Sequence, residues 1–293
     1  MCPIFDQDST TAAISLTRMS LGEDLRDVGD VTCLSTIPAE LQATVQIVSR
    51  ESGVACGLPL IPIVFHELGS EVKASVSVQD GDKVQRGTVL ASLTGTVRAL
   101  LTGERTILNF MTHLSGIASR TAQFVDAVAG TKARILDTRK TLPGYRALQK
   151  YAVRCGGGTN HRMGLYDGVL IKDNHLAARG DSACASAVAD ARRYMISTGR
   201  NTSIEIEVDT LSQLLDALKE KPEIVLLDNM SPDQLREAVA LRDQHGPATL
   251  LEASGGVTLQ TVRSIAETGV ERISIGGLTH SSPALDLGFD WPW

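Results

Sequence analysis

Cysteine is scarce and scattered in this 293-residue chain: Cys2, Cys33, Cys56, Cys155 and Cys184 are odd in number and form no Cys-x-x-Cys pair. That spacing argues against a disulfide scaffold or a cysteine zinc site and points to a reducing compartment. No apolar run approaches the ~20 residues that a membrane-spanning helix needs. The first twenty residues carry Asp6 and Asp8 and no basic patch ahead of an apolar core, unlike a secretory signal. A soluble cytoplasmic protein is the expectation. Basic residues are not in excess: the net charge is −6, which argues against a nucleic-acid-binding surface. The sequence has no His-x-x-x-His or His-x-Glu pattern, no Gly-x-Ser-x-Gly elbow and no P-loop. A tightly held zinc and the hydrolase and nucleotide-binding chemistries built on those motifs are therefore not expected.

What the chain does have is six short apolar runs, each ending in charged residues or a glycine pair. Residues 133–136 lead into Asp137-Thr138-Arg139-Lys140, and 169–171 into Lys172-Asp173-Asn174. Residues 203–206 lead into Glu207, 224–227 into Asp228-Asn229, 249–252 into Ser254-Gly255-Gly256, and 272–275 into Gly276-Gly277. Helix-like stretches separate most of them. Parallel strands buried on both faces read as continuous apolar runs, and in β/α barrels the chemistry gathers where strands end. The pattern predicts an α/β chain with an open, incomplete β/α barrel over residues 118–280, since a full set of eight strands is not visible. With 43% hydrophobic and 21% charged residues, the chain can hold such a barrel and a smaller domain.

The smaller domain is expected over residues 1–117. A helix is predicted over 11–28, then short apolar runs split by glycines over 43–102, which read as a small sheet with tight turns. The spacing of Ile107, Leu108, Met111, Leu114 and Ile117 predicts a long helix over 103–130. The tail, 281–293, carries Phe289, Trp291 and Trp293 and is expected to pack back on the N-terminal domain.

The candidate chemistry lies at the strand ends. Arg139 and Arg162 can each fork onto a carboxylate with two parallel hydrogen bonds, and Lys140 and Lys172 are compact charges suited to phosphate. Glu207 and Asp228, on adjacent strand ends, suit ribose hydroxyls or Mg²⁺, which prefers oxygen ligands. Their plain alternative is structural pairing with Lys172 or Arg139. Glu205 points to the same side of its strand as Glu207. His161 lies between Asn160 and Arg162 inside the basic cluster. The loops Ser254-Gly255-Gly256 and Gly276-Gly277 can turn backbone N–H groups toward a phosphate, and a helix over 259–268 would add its dipole. The mixture suits an anionic, phosphate-bearing, metal-bound substrate.

Long ordered motifs carry a resemblance. Residues 137–144 (DTRKTLPG), 150–162 (KYAVRCGGGTNHR) and 171–175 (IKDNH) resemble the quinolinate phosphoribosyltransferase family. Residues 103–109 (GERTILN), 205–209 (EIEVD), 226–229 (LLDN) and 252–256 (EASGG) continue the match. The resemblance implies an N-terminal α/β sandwich domain ahead of the open barrel. It implies transfer of phosphoribose from phosphoribosyl pyrophosphate to quinolinate, with decarboxylation, in NAD biosynthesis. It also implies Mg²⁺ and a homodimer, or a hexamer built as a trimer of dimers. By position, Thr138, Arg139, His161 and Arg162 correspond to quinolinate binders and Arg105 to a residue supplied by the neighbouring subunit. Lys140, Lys172, Glu207 and Asp228 correspond to the catalytic and metal–pyrophosphate residues, and Ser254, Gly255, Gly256, Gly276 and Gly277 to the phosphate cradle. Two alternatives stay open: a relative that takes the monocarboxylate nicotinate, and a non-catalytic phosphate-binding barrel.

Overall fold

The structure, a computed structural model, describes residues 3–180 and 183–293. The chain forms two compact units. One comprises the chain up to Ala122, Lys140–Gly158 and Gly277 to the C-terminus; the other comprises Gln123–Arg139 and Thr159–Gly276. The chain crosses between units four times, so no single cut at 117/118 separates them.

The first unit opens with the helix Gln7–Leu25, whose N-terminus is capped by the Asp6 carboxylate accepting from Ser9 N. Apolar spacing alone points to residues 11–28, and the capping aspartate moves the start forward. Strands follow at Gln42–Ser49 (β1), Gly53–Val54 (β2), Lys73–Val76 (β3), Lys83–Val84 (β4) and Val89–Thr96 (β5). β1 lies between β5 and the C-terminal strand Leu287–Asp290, and β3 borders β5, all antiparallel. The apolar tail thus adds a strand to this sheet, with Phe289 opposite Ile47. Val45, Ile47, Leu90, Leu93, Ile107 and Met111 form the core with Leu285 and Leu287.

The long helix runs Val97–Ala127, beginning earlier than residue 103 because Val97 and Leu100 are themselves core residues. The helix Arg146–Cys155 belongs to the same unit and buries Leu148, Tyr151, Ala152 and Val153. The Tyr151 hydroxyl donates to Asp80 Oδ2 at 2.7 Å, while Gly57 N and Leu58 N donate to the same carboxylate. Burial pushes the Asp80 carboxyl above the usual range despite these donors.

The second unit is a parallel sheet of six strands with helices between them. Arg134–Leu136 (β6), Val169–Ile171 (β7), Ile204–Val208 (β8), Ile224–Asp228 (β9), Leu250–Ser254 (β10) and Arg272–Ser274 (β11) are the six apolar runs. Their order is β6-β11-β10-β9-β8-β7. β6 and β7 do not pair with each other, so the barrel stays open, and Thr159 adds only an isolated parallel bridge to Leu136.

Register and alternation sort the strands into two faces. Ile204, Ile206, Val208, Val225, Leu227, Leu251, Ala253 and Ile273 share one face and are all buried. The other carries Glu205, Glu207, Asp228, Glu252, Ser254, Arg272 and Ser274. A sheet whose inner face is this polar must satisfy its buried charges with each other or with a ligand.

At the opposite, amino-terminal end of these strands sits Glu271. Its carboxylate accepts from Lys132 Nζ (2.8 Å), Arg242 Nη1 and Nη2 (3.1 and 3.0 Å) and Leu251 N (2.9 Å). Arg242 also donates to Thr249 O at 2.7 Å.

Candidate active site

β6 ends at Leu136, and the next residues carry the first cluster. Asp137 is fully buried and acts as a clamp rather than a ligand site. Its Oδ1 accepts from His161 N (2.9 Å) and its Oδ2 from Asn160 Nδ2 (2.6 Å). The Thr-Asn-His-Arg segment is thereby fastened beside the end of β6, where Asp137 N also donates to Thr159 O. Arg139 and Arg162 are brought close together. Burial, and then the charge of Arg139, lower the pKa of the Arg162 guanidinium. Arg139 Nε is buried and has no protein acceptor. Arg162 Nη1 donates to Gly168 O at 3.0 Å.

His161 directly precedes Arg162. Its Nε2 stands 3.2 Å from Glu205 Oε2 and 3.3 Å from Glu252 Oε1, and its Nδ1 accepts from Arg162 N at 2.8 Å. Burial pulls its pKa down, while hydrogen bonds and charge from the two glutamates push it up. The Arg162 N–H opposes a second ring proton, so the arrangement drawn by these distances is that of the neutral ring with its proton on Nε2. Glu252 Oε2 is also held by Arg272 Nε at 2.7 Å. Desolvation drives the Glu205 carboxyl upward, whereas His161 and Arg272 hold Glu252 down against its own burial.

The second cluster spans β7 to β10. Lys172 follows β7, and its Nζ meets Glu207 Oε2 at 2.5 Å, the structural pairing weighed above for these residues. The Lys172 amide donates to His175 Nδ1, which sets the start of the helix Asp173–Arg179. Leu226 lies opposite Glu207, so Asp228 shares the face of Glu207. Asp228 accepts only from its neighbour Asn229 and, among the described residues, forms no ion pair. Ser254 is level with Asp228 across β9 and β10. Gly255 has φ +99°, and a Cβ there would lie 2.1 Å from Asn229 Oδ1; a Cβ on Gly256 would meet nothing within 4 Å. That loop is open backbone of the kind that admits an anion. The next helix begins only at Val262, after a turn through 259–261, so it starts later than the expected 259–268. Any anion there would meet loop amides rather than the helix end.

Arg105, Lys140 and Gly277 belong to the first unit. Arg105 is exposed on the long helix, beside the fully buried Thr106 and Ile107. Lys140 is exposed, and its carbonyl accepts from Thr279 Oγ1 at 2.7 Å. Thr138 is half-buried and Gly276 ends the second unit. Glu252 and Arg272 had no role assigned from sequence. The usable signal was a glutamate inside an otherwise apolar strand, between Leu251 and Ala253.

Known proteins align with this frame throughout. Residues 30–115 match the quinolinate phosphoribosyl transferase N-terminal domain family, and residues 117–290 match its C-terminal domain. A nicotinate-nucleotide pyrophosphorylase (carboxylating) of Mycobacterium leprae is 47% identical over 281 residues, 95% of this chain and 97% of that one. The structure of the nicotinate-nucleotide pyrophosphorylase from Francisella tularensis superimposes with a TM-score of 0.87 at 37% identity, covering 96% of each chain. That of the Ehrlichia chaffeensis enzyme gives 0.86 at 42%, covering 94% of this chain and 97% of the other. With both domains matched in order and nearly the full length aligned, the chain belongs to the quinolinate phosphoribosyltransferase family.

Proposed function

We propose that this chain carries out its family's reaction, phosphoribosyl transfer to quinolinate with decarboxylation in NAD biosynthesis, using Arg139 and Arg162 as the quinolinate carboxylate clamp. The observation that carries this reading is the pair of neighbouring guanidiniums, one with a buried, unpartnered Nε. Two like charges held together are relieved by a dianion, and a vicinal dicarboxylate is one. Nicotinate would neutralise only half of that charge.

The nucleophile is the pyridine nitrogen, which already carries a lone pair and needs no general base. It attacks the ribose carbon that bears the pyrophosphate, and the pyrophosphate leaves with the bonding electrons. The sugar becomes oxocarbenium-like as the leaving bond stretches, and Glu207 and Asp228 lie on one face to stabilise that positive charge. Lys140 and Lys172 spread the negative charge of the pyrophosphate. Lys172 must exchange its contact with Glu207 for one with substrate, so the pair acts as a placeholder. After transfer, the cationic ring accepts the electrons of the adjacent carboxylate as CO₂ departs. A proton from Lys140, Lys172 or water then fills the vacated ring position. The arginines keep the ring aligned during both steps. The 5′-phosphate lies on Ser254–Gly256 and Gly276–Gly277.

Glu207 and Asp228 fit Mg²⁺ by their chemistry: two carboxylates on one face, one without a cationic partner among the described residues. Bound there through substrate and water, the ion would help disperse charge on the leaving pyrophosphate. The protein is read as cytoplasmic, a reading supported by Cys33, Cys56, Cys155 and Cys184 being buried and in no disulfide. Among the described residues no helix is long and apolar enough to cross a membrane.

Arg105 is read as serving the neighbouring subunit of a homodimer, alone or within a hexamer. The reaction is tested by supplying Mg²⁺, phosphoribosyl pyrophosphate and either quinolinate or nicotinate, and following nucleotide and CO₂. Quinolinate should give both, and nicotinate little of either. Nucleotide formation from nicotinate at an equal rate refutes the dicarboxylate reading. The shared site is tested by mixing inactive Arg105→Ala and Lys172→Ala chains. Random pairing should restore about a quarter of the parent activity, because half the dimers are mixed and each holds one intact site. No recovery with mixed dimers present refutes a shared Arg105.

A further inference from the structure

Both ring nitrogens of His161 are engaged by the protein itself. Nε2 faces Glu205 Oε2 and Glu252 Oε1 at 3.2 and 3.3 Å, and the three side chains are 9%, 4% and 0% exposed. Nδ1 accepts the backbone N–H of Arg162 at 2.8 Å. Neither nitrogen is turned to a ligand. Arg272 holds the far oxygen of Glu252 at 2.7 Å, the Nε2 hydrogen faces the two glutamates from the other side, and Glu205 Oε1 and Glu252 Oε1 accept no hydrogen bond. The ring is therefore anchored from β8 and β10 and passes its position to the Arg162 amide. Asp137 holds the same segment at His161 N and Asn160 Nδ2.

We infer that Glu205 and Glu252 are positioning residues that, through His161, set the place of Arg162, and that His161 does not itself bind the substrate carboxylate. The inference rests on the reading of Arg162 as a carboxylate clamp. It explains why two glutamates are buried under a site for a dianion, where their charge would otherwise weaken binding. Their negative charge is turned inward onto His161 and Arg272, and the guanidinium of Arg162 donates instead to Gly168 O. A guanidinium that must meet a carboxylate bidentately tolerates little displacement, because misplacement of about 1 Å costs on the order of 10²-fold in rate.

The test uses the full chain carrying Glu252→Gln, Glu205→Gln or Glu205→Ala. The expected result is a rise in KM for quinolinate of about tenfold or more in Glu252→Gln, with KM for phosphoribosyl pyrophosphate within about twofold of the parent. Glu205→Gln keeps an acceptor for Nε2–H and should recover much of what Glu205→Ala loses. A fall in melting temperature with both KM values moving together, or no change in KM for quinolinate, overturns the inference. Glu252→Gln leaves Arg272 short of a partner and could fail to fold, so a second measurement uses the parent protein. With selectively ¹⁵N-labelled histidine, quinolinate added without the phosphoribosyl donor should leave both His161 ring shifts in place. A shift of the Nε2 signal on binding shows direct ligation and overturns it. If Arg162→Lys leaves quinolinate affinity untouched, the carboxylate reading itself has failed, whatever the glutamate variants do.

Discussion

Replacing Glu271 by glutamine should weaken the protein without touching its chemistry. The carboxylate takes four hydrogen bonds, from Lys132, Arg242 twice and Leu251 N, and Arg242 is only 4% exposed. Glutamine keeps one acceptor oxygen and points an NH₂ group at donors. Breaking a buried ion pair costs about 3–5 kcal/mol. Glu271 is 19% exposed, and Arg242 keeps Asp243 and Thr249 O, so screening and the remaining partners reduce the figure to about 2–4 kcal/mol. For a unit of this size that corresponds to roughly 6–12 °C in melting temperature. The sign with pH follows from the direction of the shift. Burial raises the Glu271 carboxyl, but Arg242, Lys132 and the Leu251 amide outweigh it and leave the folded pKa below the unfolded value. Its contribution is therefore complete above the unfolded carboxylate range and is lost as pH falls through the folded value. Denaturant titrations of parent and Glu271→Gln should differ most near neutrality and converge in acid. KM and kcat at 20 °C should match the parent, because Glu271 lies at the strand ends away from the candidate site. Equal stability at neutral pH, or a gap that persists unchanged in acid, refutes the reasoning.

Three further outcomes are expected. Arg162→Lys loses the forked geometry and should weaken quinolinate binding by about 1–3 kcal/mol, read by calorimetric titration, with phosphoribosyl pyrophosphate binding little changed. Gly255→Ala must adopt φ +99° and forces its Cβ against Asn229 Oδ1, so phosphoribosyl pyrophosphate affinity should fall by more than tenfold while quinolinate affinity holds; equal effects on both would reject the phosphate assignment. Tyr151→Phe removes the 2.7 Å donor to buried Asp80 and should cost about 1–3 kcal/mol of stability by denaturant titration, with the melting curve steepness retained.

The six strands of the open barrel were legible because each is a short apolar run, for the most part buried or half-buried, that stops at a polar residue or a glycine pair. The arginine pair was legible as two basic clusters, and Lys172–Glu207 was one of the pairings weighed from the strand ends alone. The inner face was harder. Glu205 was seen to share a side with Glu207 because both lie on one strand. Its partnership with Glu252 and Arg272 depends on register between β8, β9, β10 and β11, and that is a long-range property. Helix ends shifted where a cap decided them: Asp6 drew the first helix back to Gln7, and the turn at 259–261 delayed the helix after Gly256. The helix Arg146–Cys155 lies between two strand-end clusters in sequence and so reads as part of the barrel, yet its apolar face is buried in the other unit.

That shuttling of the chain has a consequence for anyone who would dissect the molecule. Neither compact unit corresponds to an unbroken stretch of gene. A fragment starting at residue 118 would carry Tyr151 and Leu148 without the Asp80 carboxylate and the N-terminal helices that surround them, and would lack strand β1, on which Leu287–Asp290 pairs. Its partner fragment would end inside the long helix and hold a sheet missing its border strand. Each half would expose freshly cut apolar surface, the condition under which truncated chains aggregate. Tolerated breakpoints should instead be sought in exposed turns within one unit, such as Arg86–Gly87 or Pro247–Ala248. There a nick or an inserted reporter leaves every crossing of the chain intact.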